Sequence, residues 1–426
     1  MKILGIIAEY NPFHMGHRYQ IKRAKEVSGA DYVIAIMSGN YVQRGAPAVF
    51  EKSVRTKTAL NAGIDAVFEI PSFFSGASAS DFAQFGISLL DILGVDYISF
   101  GAENDNRKLL DTISDILLEK QTELSIKKYI KSGLNYAKAR HSAIMDGGFG
   151  DVIQDGQKAF QIKEILSSPN NILAVEYLKN IKLINSNIKP IIIGRSGSGY
   201  HKKDMEKDKF ASATAIRNEL FKARESSNYN IFCNDKFINV IPKENIDILN
   251  STGAIFEDDF LFTVQRNFLD KIYTGEELNS YCDVSNELAN TIKQNINEIK
   301  SKSFEDFILS LKSKNFTYTR ISRAIFHILL NHKKKELKEI KMESDIAAYP
   351  VLLGFKKSAV RLLSELKLRS RKPVISKMSS AKKLLSEISL KIFENNIYCD
   401  FLYNSIYFEK YGKNPYNPYR RRMVIL

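Results

Sequence analysis

Two of the six histidines in this 426-residue chain stand three residues apart, in the segment Asn11-Pro12-Phe13-His14-Met15-Gly16-His17. An apolar, β-branched stretch precedes the segment and an amphipathic one follows it, so it reads as a strand-to-helix turn shaped by Pro12 and Gly16. Both imidazoles then sit at the amino end of the first helix. Free backbone N–H groups and the positive end of the helix dipole attract an anion there. Two ring donors aimed at the same place suit charge that develops on phosphate oxygens during phosphoryl or nucleotidyl transfer. Gly16, lacking a side chain, lets a ligand approach the backbone. The alternatives are two chance surface histidines or a metal pair.

The elements that must hold this turn follow from hydrophobic periodicity. Strands are predicted over Lys2–Ile7, Tyr32–Met37, Ala66–Ile70 and Asp96–Phe100, alternating with helices over His17–Val27, Glu51–Ala62 and Asp81–Leu93. Further helices are expected over Arg107–Glu119 and Ser125–Ser142, then a late strand over Pro190–Ile193 and a helix over Thr214–Arg224. That order defines an α/β fold with a parallel, Rossmann-like sheet, whose ligands sit at the carboxyl ends of the strands. From about Ile231 the alternation stops. Asn245–Tyr273, Glu276–Ile299, Phe304–Leu311, Ile321–Met342 and Val351–Leu366 read as mainly helical, with breaks at 312–315 and Ala347–Pro350. We therefore expect a catalytic region over 1–225 and a helical one over 226–426.

Charge divides the chain in a similar way. The net charge is +14, yet residues 301–426 carry 26 Lys and Arg against 11 Asp and Glu, so the whole basic excess lies there. Such an asymmetry is the footprint of a polyanion partner, because neutralised phosphates release counterions. The cations cluster among aromatic residues, as in Phe316–Arg323, His332–Lys335, Lys367–Lys372 and Tyr416–Arg422. Rings can stack bases while cations hold phosphates. Each ring alone would more simply pack a helix.

Composition removes other classes. A hydrophobic fraction of 44% with 26% charged residues describes a globular protein, not a disordered one. No apolar run approaches the ~18 residues of a membrane span, and Met1–Glu9 reaches a carboxylate too soon for a signal peptide. Three distant cysteines, Cys233, Cys282 and Cys399, fit neither a disulfide scaffold nor a CxxC metal site and suit a reducing cytoplasm.

His14-Met15-Gly16-His17 resembles the HxGH signature of the nucleotidyltransferase superfamily that includes class I aminoacyl-tRNA synthetases, with Met15 at the variable position. The longer run Gly5–His17 more narrowly resembles the tRNA(Met) cytidine acetate ligase family. So do Met37–Gly45, Phe100–Glu103, Ser168–Leu173 and Gly194–His201, while Ser212–Arg217 resembles the superfamily's second signature. One departure is Gly194, where the family often carries a basic residue. The resemblance spans essentially the whole chain. It implies that acetate attacks the α-phosphate of ATP, and that the wobble cytidine of elongator tRNA(Met) takes the acetyl group to give N4-acetylcytidine.

The same resemblance implies site roles. Ile7, Ala8, Glu9, Tyr10, Asn11, Pro12, Phe13, His14, Met15, Gly16, His17, Arg18, Tyr19 and Gln20 would form the ATP loop, with His14 and His17 stabilising the phosphates. Gly101 would let the nucleotide lie against the backbone, and Asn170 or Asn171 would bind it unless capping a helix. Arg195, Ser196, Ser212, Thr214 and Arg217 would meet the phosphates. Arg320, Arg323, Lys333, Lys334, Lys335, Arg369, Arg371 and Lys372 would hold tRNA. Arg44, Lys52 and Arg55 could bind pyrophosphate or RNA, or be solvated. Glu103 and Asp81 are not assigned as bases. No metal cage is visible, and Mg²⁺ would come with the ATP phosphates. The alternatives are a small-molecule adenylyltransferase, which lacks a reason for the basic region, or a non-catalytic RNA-binding protein.

Overall fold

The strands form where apolar runs are bracketed by turn chemistry, and one device recurs three times. Gly29, Gly63 and Gly94 take positive φ at or just beyond helix ends, each followed by an apolar residue and an aspartate: Asp31, Asp65, Asp96. Each aspartate immediately precedes a strand and accepts a backbone N–H from the neighbouring one: Asp31 from Lys2 at 2.7 Å, Asp65 from Val33 at 2.8 Å and Asp96 from Ile3 at 2.7 Å. These carboxylates set the register at the amino ends of the sheet.

A computed structural model describes residues 1–134, 136–146, 156–194, 212–225, 231–233, 237, 239–296, 303–313, 316–343, 345–413 and 416–426. The strands are β1 (Ile3–Ala8), β2 (Tyr32–Ser38), β3 (Tyr41–Val42), β4 (Ala46–Pro47), β5 (Ala66–Ile70), β6 (Tyr97–Ala102), β7 (Lys189–Gly194), β8 (Leu352–Phe355) and β9 (Val424–Ile425). The main sheet runs β7-β6-β1-β2-β5-β8-β9, and its first five strands are parallel. Buried for most of their length, β1 and β2 read as near-continuous apolar runs, and β5 as one interrupted by Glu69. The chain lays down β1, β2 and β5 in one direction and β6 and β7 in the other, so the switch point falls between β1 and β6.

The helices used below are α1 (Met15–Ser28), α2 (Lys52–Asn61), α3 (Ala79–Ile92), α4 (Pro169–Leu183), α5 (Ala213–Lys222), α6 (Tyr318–Leu329), α7 (Lys334–Ile340), α8 (Val360–Arg369) and α9 (Glu387–Tyr411). Several predicted helices are divided. The expected Ser125–Ser142 helix breaks after Lys131, at Ser132-Gly133. The expected Ile321–Met342 helix breaks after Leu329, where Asn331 takes positive φ. Val351–Leu366 is α-helical only from Val360, because Leu352–Phe355 is β8, antiparallel to β5. A short apolar run cannot by itself tell a buried helix from a buried strand. Thus the C-terminal region, mainly helical as expected, also completes the sheet.

The two regions share packing. Gly45, at φ +73°, approaches α6 so closely that a Cβ would lie 2.4 Å from the Arg323 nitrogen, and the Ser322 hydroxyl donates to the Gly45 carbonyl. Gly45→Ala is expected to cost at least the 1–3 kcal/mol, roughly, of overpacking, plus left-handed backbone strain. Urea unfolding of the variant measures that loss.

Candidate active site

The first helix begins with its own histidines. His14 is the N-cap: its Nδ1 accepts the Gly16 N–H at 3.1 Å, while its backbone N–H donates to His17 Nδ1 at 3.2 Å. Serine or aspartate usually fills such a reciprocal cap. Because both Nδ1 atoms accept, the ring proton of each neutral imidazole sits on Nε2. The rings stack with centroids 3.7 Å apart. Tyr10 and Phe13, both buried, pack against His17 at 5.0 and 5.4 Å. The helix start is also held from the C-terminal region, where the Val240 carbonyl accepts the Met15 N–H at 2.8 Å. This turn follows β1 at the switch point.

The loop leading into it is braced by charge. The Asn11 side chain accepts the Val49 N–H at 2.8 Å, and its carbonyl accepts from Arg217 at 2.8 Å. Arg217 also donates to Thr214 at 3.0 Å, and burial lowers the guanidinium pKa. Ser212 caps α5 by accepting the Ala215 N–H. The two signature segments are thereby tied together. Of the remaining loop residues, Arg18 pairs with Glu244 at 3.1 Å, Gln20 donates to the Ser99 carbonyl at 3.3 Å, and Tyr19 is exposed. Arg195 and Ser196 lie outside the described residues.

On the β6 flank, Gly101 lies within the strand, which ends two residues later than expected, and not in the turn after it. The capping anticipated for Asn170 or Asn171 is done by Glu103. Its carboxylate accepts the Asn171 N–H at 2.9 Å and the Asn170 side chain at 2.6 Å, at the amino end of α4. Asn171 is fully buried and accepts the Asn104 N–H, whereas Asn170 is half-buried. Asp81 caps α3 together with Ser78 and pairs with Lys341.

Two cations behave unlike either sequence expectation. Arg55, fully buried, donates to the carbonyls of Glu9 at 2.7 Å, Ser38 at 3.0 Å and Phe50 at 2.8 Å, and to that of Gly39. It is an internal clamp across the carboxyl ends of β1 and β2, with its pKa lowered by burial. Lys52, also buried, pairs with Glu69 at 2.6 Å and with Asp400 from α9. Neither is solvated or presented to a phosphate; only Arg44 is exposed.

The cations expected to hold RNA are mostly occupied within the chain. Arg323 pairs with Asp283 at 2.7 Å, Lys333 with Glu276, and Lys334 donates to the carbonyls of Asn279 and Val284. Arg369 joins Asp96 at 3.0 Å and Glu365 at 2.8 Å, Arg371 joins Asp91, and Lys372 joins Asp345 at 2.6 Å. Arg369 thus ties α8 to the amino end of β6, and Arg371 ties the segment after α8 to the end of α3. Arg320 stacks on Phe316, and Lys335 is exposed.

This fold and this paired-imidazole turn define a nucleotidyltransferase of the HxGH type, and the HIGH Nucleotidyl Transferase family model matches residues 1–415. A tRNA(Met) cytidine acetate ligase of Thermoanaerobacter sp. (strain X514) is 39% identical over 419 residues, covering 96% of each chain. One from Acetivibrio thermocellus is 35% identical, covering 97% of this chain and 96% of that one. The crystal structure of Thermotoga maritima TmcAL bound with alpha-thio ATP superposes with a TM-score of 0.85 at 25% identity, covering both chains completely. The chain belongs to the tRNA(Met) cytidine acetate ligase family.

Proposed function

We propose that this protein uses ATP to acetylate the wobble cytidine of elongator tRNA(Met), giving N4-acetylcytidine through an acetyl-adenylate. The supporting observation is the His14–His17 cap, whose Nδ1 atoms accept backbone N–H groups and so leave Nε2 to donate, at the switch point where an α/β sheet receives a nucleotide. An acetate oxygen attacks the α-phosphorus, and pyrophosphate leaves with the electron pair of the broken P–O bond. Acetate is already ionised near neutral pH, so this step needs no base. The imidazoles act as donors to charge developing on the phosphates, not as proton carriers. Ile7–Gln20, Gly101, Asn170 or Asn171, Arg195, Ser196, Ser212, Thr214 and Arg217 would line the nucleotide. Among the described residues there is no group of three or more metal-type ligands, so Mg²⁺ would arrive on the triphosphate with its own waters.

We assign catalysis to 1–225 and RNA holding to 226–426, with β8 and β9 returning to support the sheet. Arg320 and Lys335 are the foremost of the proposed tRNA contacts. Among the described residues no helix is long and apolar enough to cross a membrane; the cytoplasm, where tRNA and reduced thiols coexist, is the proposed site of action. The direct test is incubation with ATP, labelled acetate and bulk tRNA. Label should appear in N4-acetylcytidine, and its absence there would refute the reading. A dinucleotide product from ATP and a mononucleotide would instead support a small-molecule adenylyltransferase.

Salt separates the two regions. If some six phosphates are neutralised, tRNA affinity should fall about 10³-fold between 50 and 200 mM salt. ATP affinity should change far less, and filter binding of each ligand across that range measures both.

A further inference from the structure

Between the signature loop and the C-terminal region lies a cleft of about 270 Å³. Glu9, Asn11, Arg44 and Arg217 line it from the N-terminal region, and Glu257 and Tyr318 line it from the C-terminal region. Part of its lining comes from the loops after β1 and β2, whereas Gly101 and Asn170 lie on the β6 flank of β1. Glu9 belongs both to the loop proposed for ATP and to the cleft wall. Two molecules seated on opposite flanks would therefore meet at the phosphate end of that loop.

The lining suits one chemistry. A carboxylate accepts hydrogen bonds from the exocyclic amine of cytosine. An aromatic ring at the mouth stacks an unpaired base, and a cation beside it holds the flanking phosphate. Tyr318 is 38% exposed at the start of α6, and Arg44 is exposed. Of the two carboxylates, Glu9 already accepts the Gln43 N–H at 2.8 Å. Glu257 is half-buried, and its carboxylate interacts with its own backbone N–H and with the charge of Arg217.

We propose that this cleft is the acceptor pocket for the cytosine base, with Tyr318 stacking it and Glu257 accepting the proton of its exocyclic amine. This rests on the function proposed above. The amine nitrogen attacks the acetyl carbonyl carbon and a C–N bond forms. The carbonyl C–O bond to phosphate breaks, AMP leaves with its electron pair, and one amine proton passes to the Glu257 carboxylate. Burial raises the Glu257 pKa, as a proton acceptor working near neutral pH requires. The charged and titratable groups around it are Arg217, Asp258 and Asp259, with Glu9, Arg44 and Tyr318 across the cleft.

The test uses the full-length enzyme and separates two half-reactions. Acetate-dependent ATP–pyrophosphate exchange reports adenylate formation, and single-turnover transfer to tRNA reports the second step. Glu257→Gln should slow transfer about 100-fold more than it slows exchange, and the rise of transfer rate with pH should flatten. A difference below tenfold, or an unchanged pH profile, overturns the role of Glu257. Tyr318→Ala should raise the KM for tRNA about tenfold by loss of stacking, while Tyr318→Phe should not. Equal KM values for the two variants overturn the pocket. Absence of exchange in the wild-type enzyme would instead refute the proposed function itself.

Discussion

His14→Ala is expected to lower acetate-dependent ATP–pyrophosphate exchange by about 10²–10³-fold, the typical effect of removing one preorganised donor from a site of developing charge. His17→Ala should do similar damage for two reasons. It removes a second donor, and it strips the acceptor from the His14 backbone N–H, so the cap that orients the surviving ring is lost. The double variant should therefore fall short of the product of the two single effects, as expected for residues acting as a unit. Affinity for tRNA should stay within about twofold, since the proposed RNA contacts lie elsewhere. Exchange rates and filter binding on the same preparations measure both quantities. A double variant that still acetylates tRNA at the wild-type rate would end the proposed mechanism.

The second large effect concerns stability. Lys52→Met should destabilise the protein by about 3–5 kcal/mol, the usual consequence of removing one partner from a buried charge network. Lys52 stands between Glu69 and Asp400, and Asn396 and Asn40 supply further hydrogen bonds to those carboxylates. Without the ammonium, two carboxylates would share a dry site. Urea unfolding checks this; a loss under about 1 kcal/mol would mean the carboxylates shed their charge without cost.

The cluster also carries a pH signature. Burial and the neighbouring charge of Glu69 outweigh Lys52 at Asp400 and push its carboxyl up to about 7. A carboxyl raised above its unfolded value of about 3.9 leaves the folded state binding the extra proton. Its contribution is fully present below about pH 4 and is lost as pH rises towards 7. Burial also disfavours the charge of Glu69, but Lys52 overcomes it and lowers that pKa. The Glu69 contribution therefore has the opposite sign, present above its unfolded value and lost in stronger acid. Asp400→Asn should remove the decline between pH 4 and 7, which thermal unfolding at pH 5 and 7.5 would show.

Backbone chemistry and local periodicity determined a good deal. The parallel strands fall near their predicted places because each is a short apolar run, and the histidine turn sits at the start of α1 because Asn11–His17 separates two clear periodicities. The glycine–apolar–aspartate triplets before β2, β5 and β6 were equally visible as a pattern, although only pairing reveals that each aspartate holds a neighbouring strand. Tertiary structure decided what depends on distant partners. Lys52 meets Asp400 across 348 residues, so nothing near Lys52 distinguishes a buried lysine from a solvated one. Arg55 is held by carbonyls, which carry no side-chain signature at all. The basic run Lys367–Lys372 reads as an RNA surface until Asp91, Asp96 and Asp345 are seen to neutralise much of it. β8 is a strand because β5 offers an edge and α9 helps bury the core beside it. Charge and hydrophobicity are properties of residues, but burial and pairing are properties of the folded chain, and it is these that separate structural cations from those able to meet a phosphate.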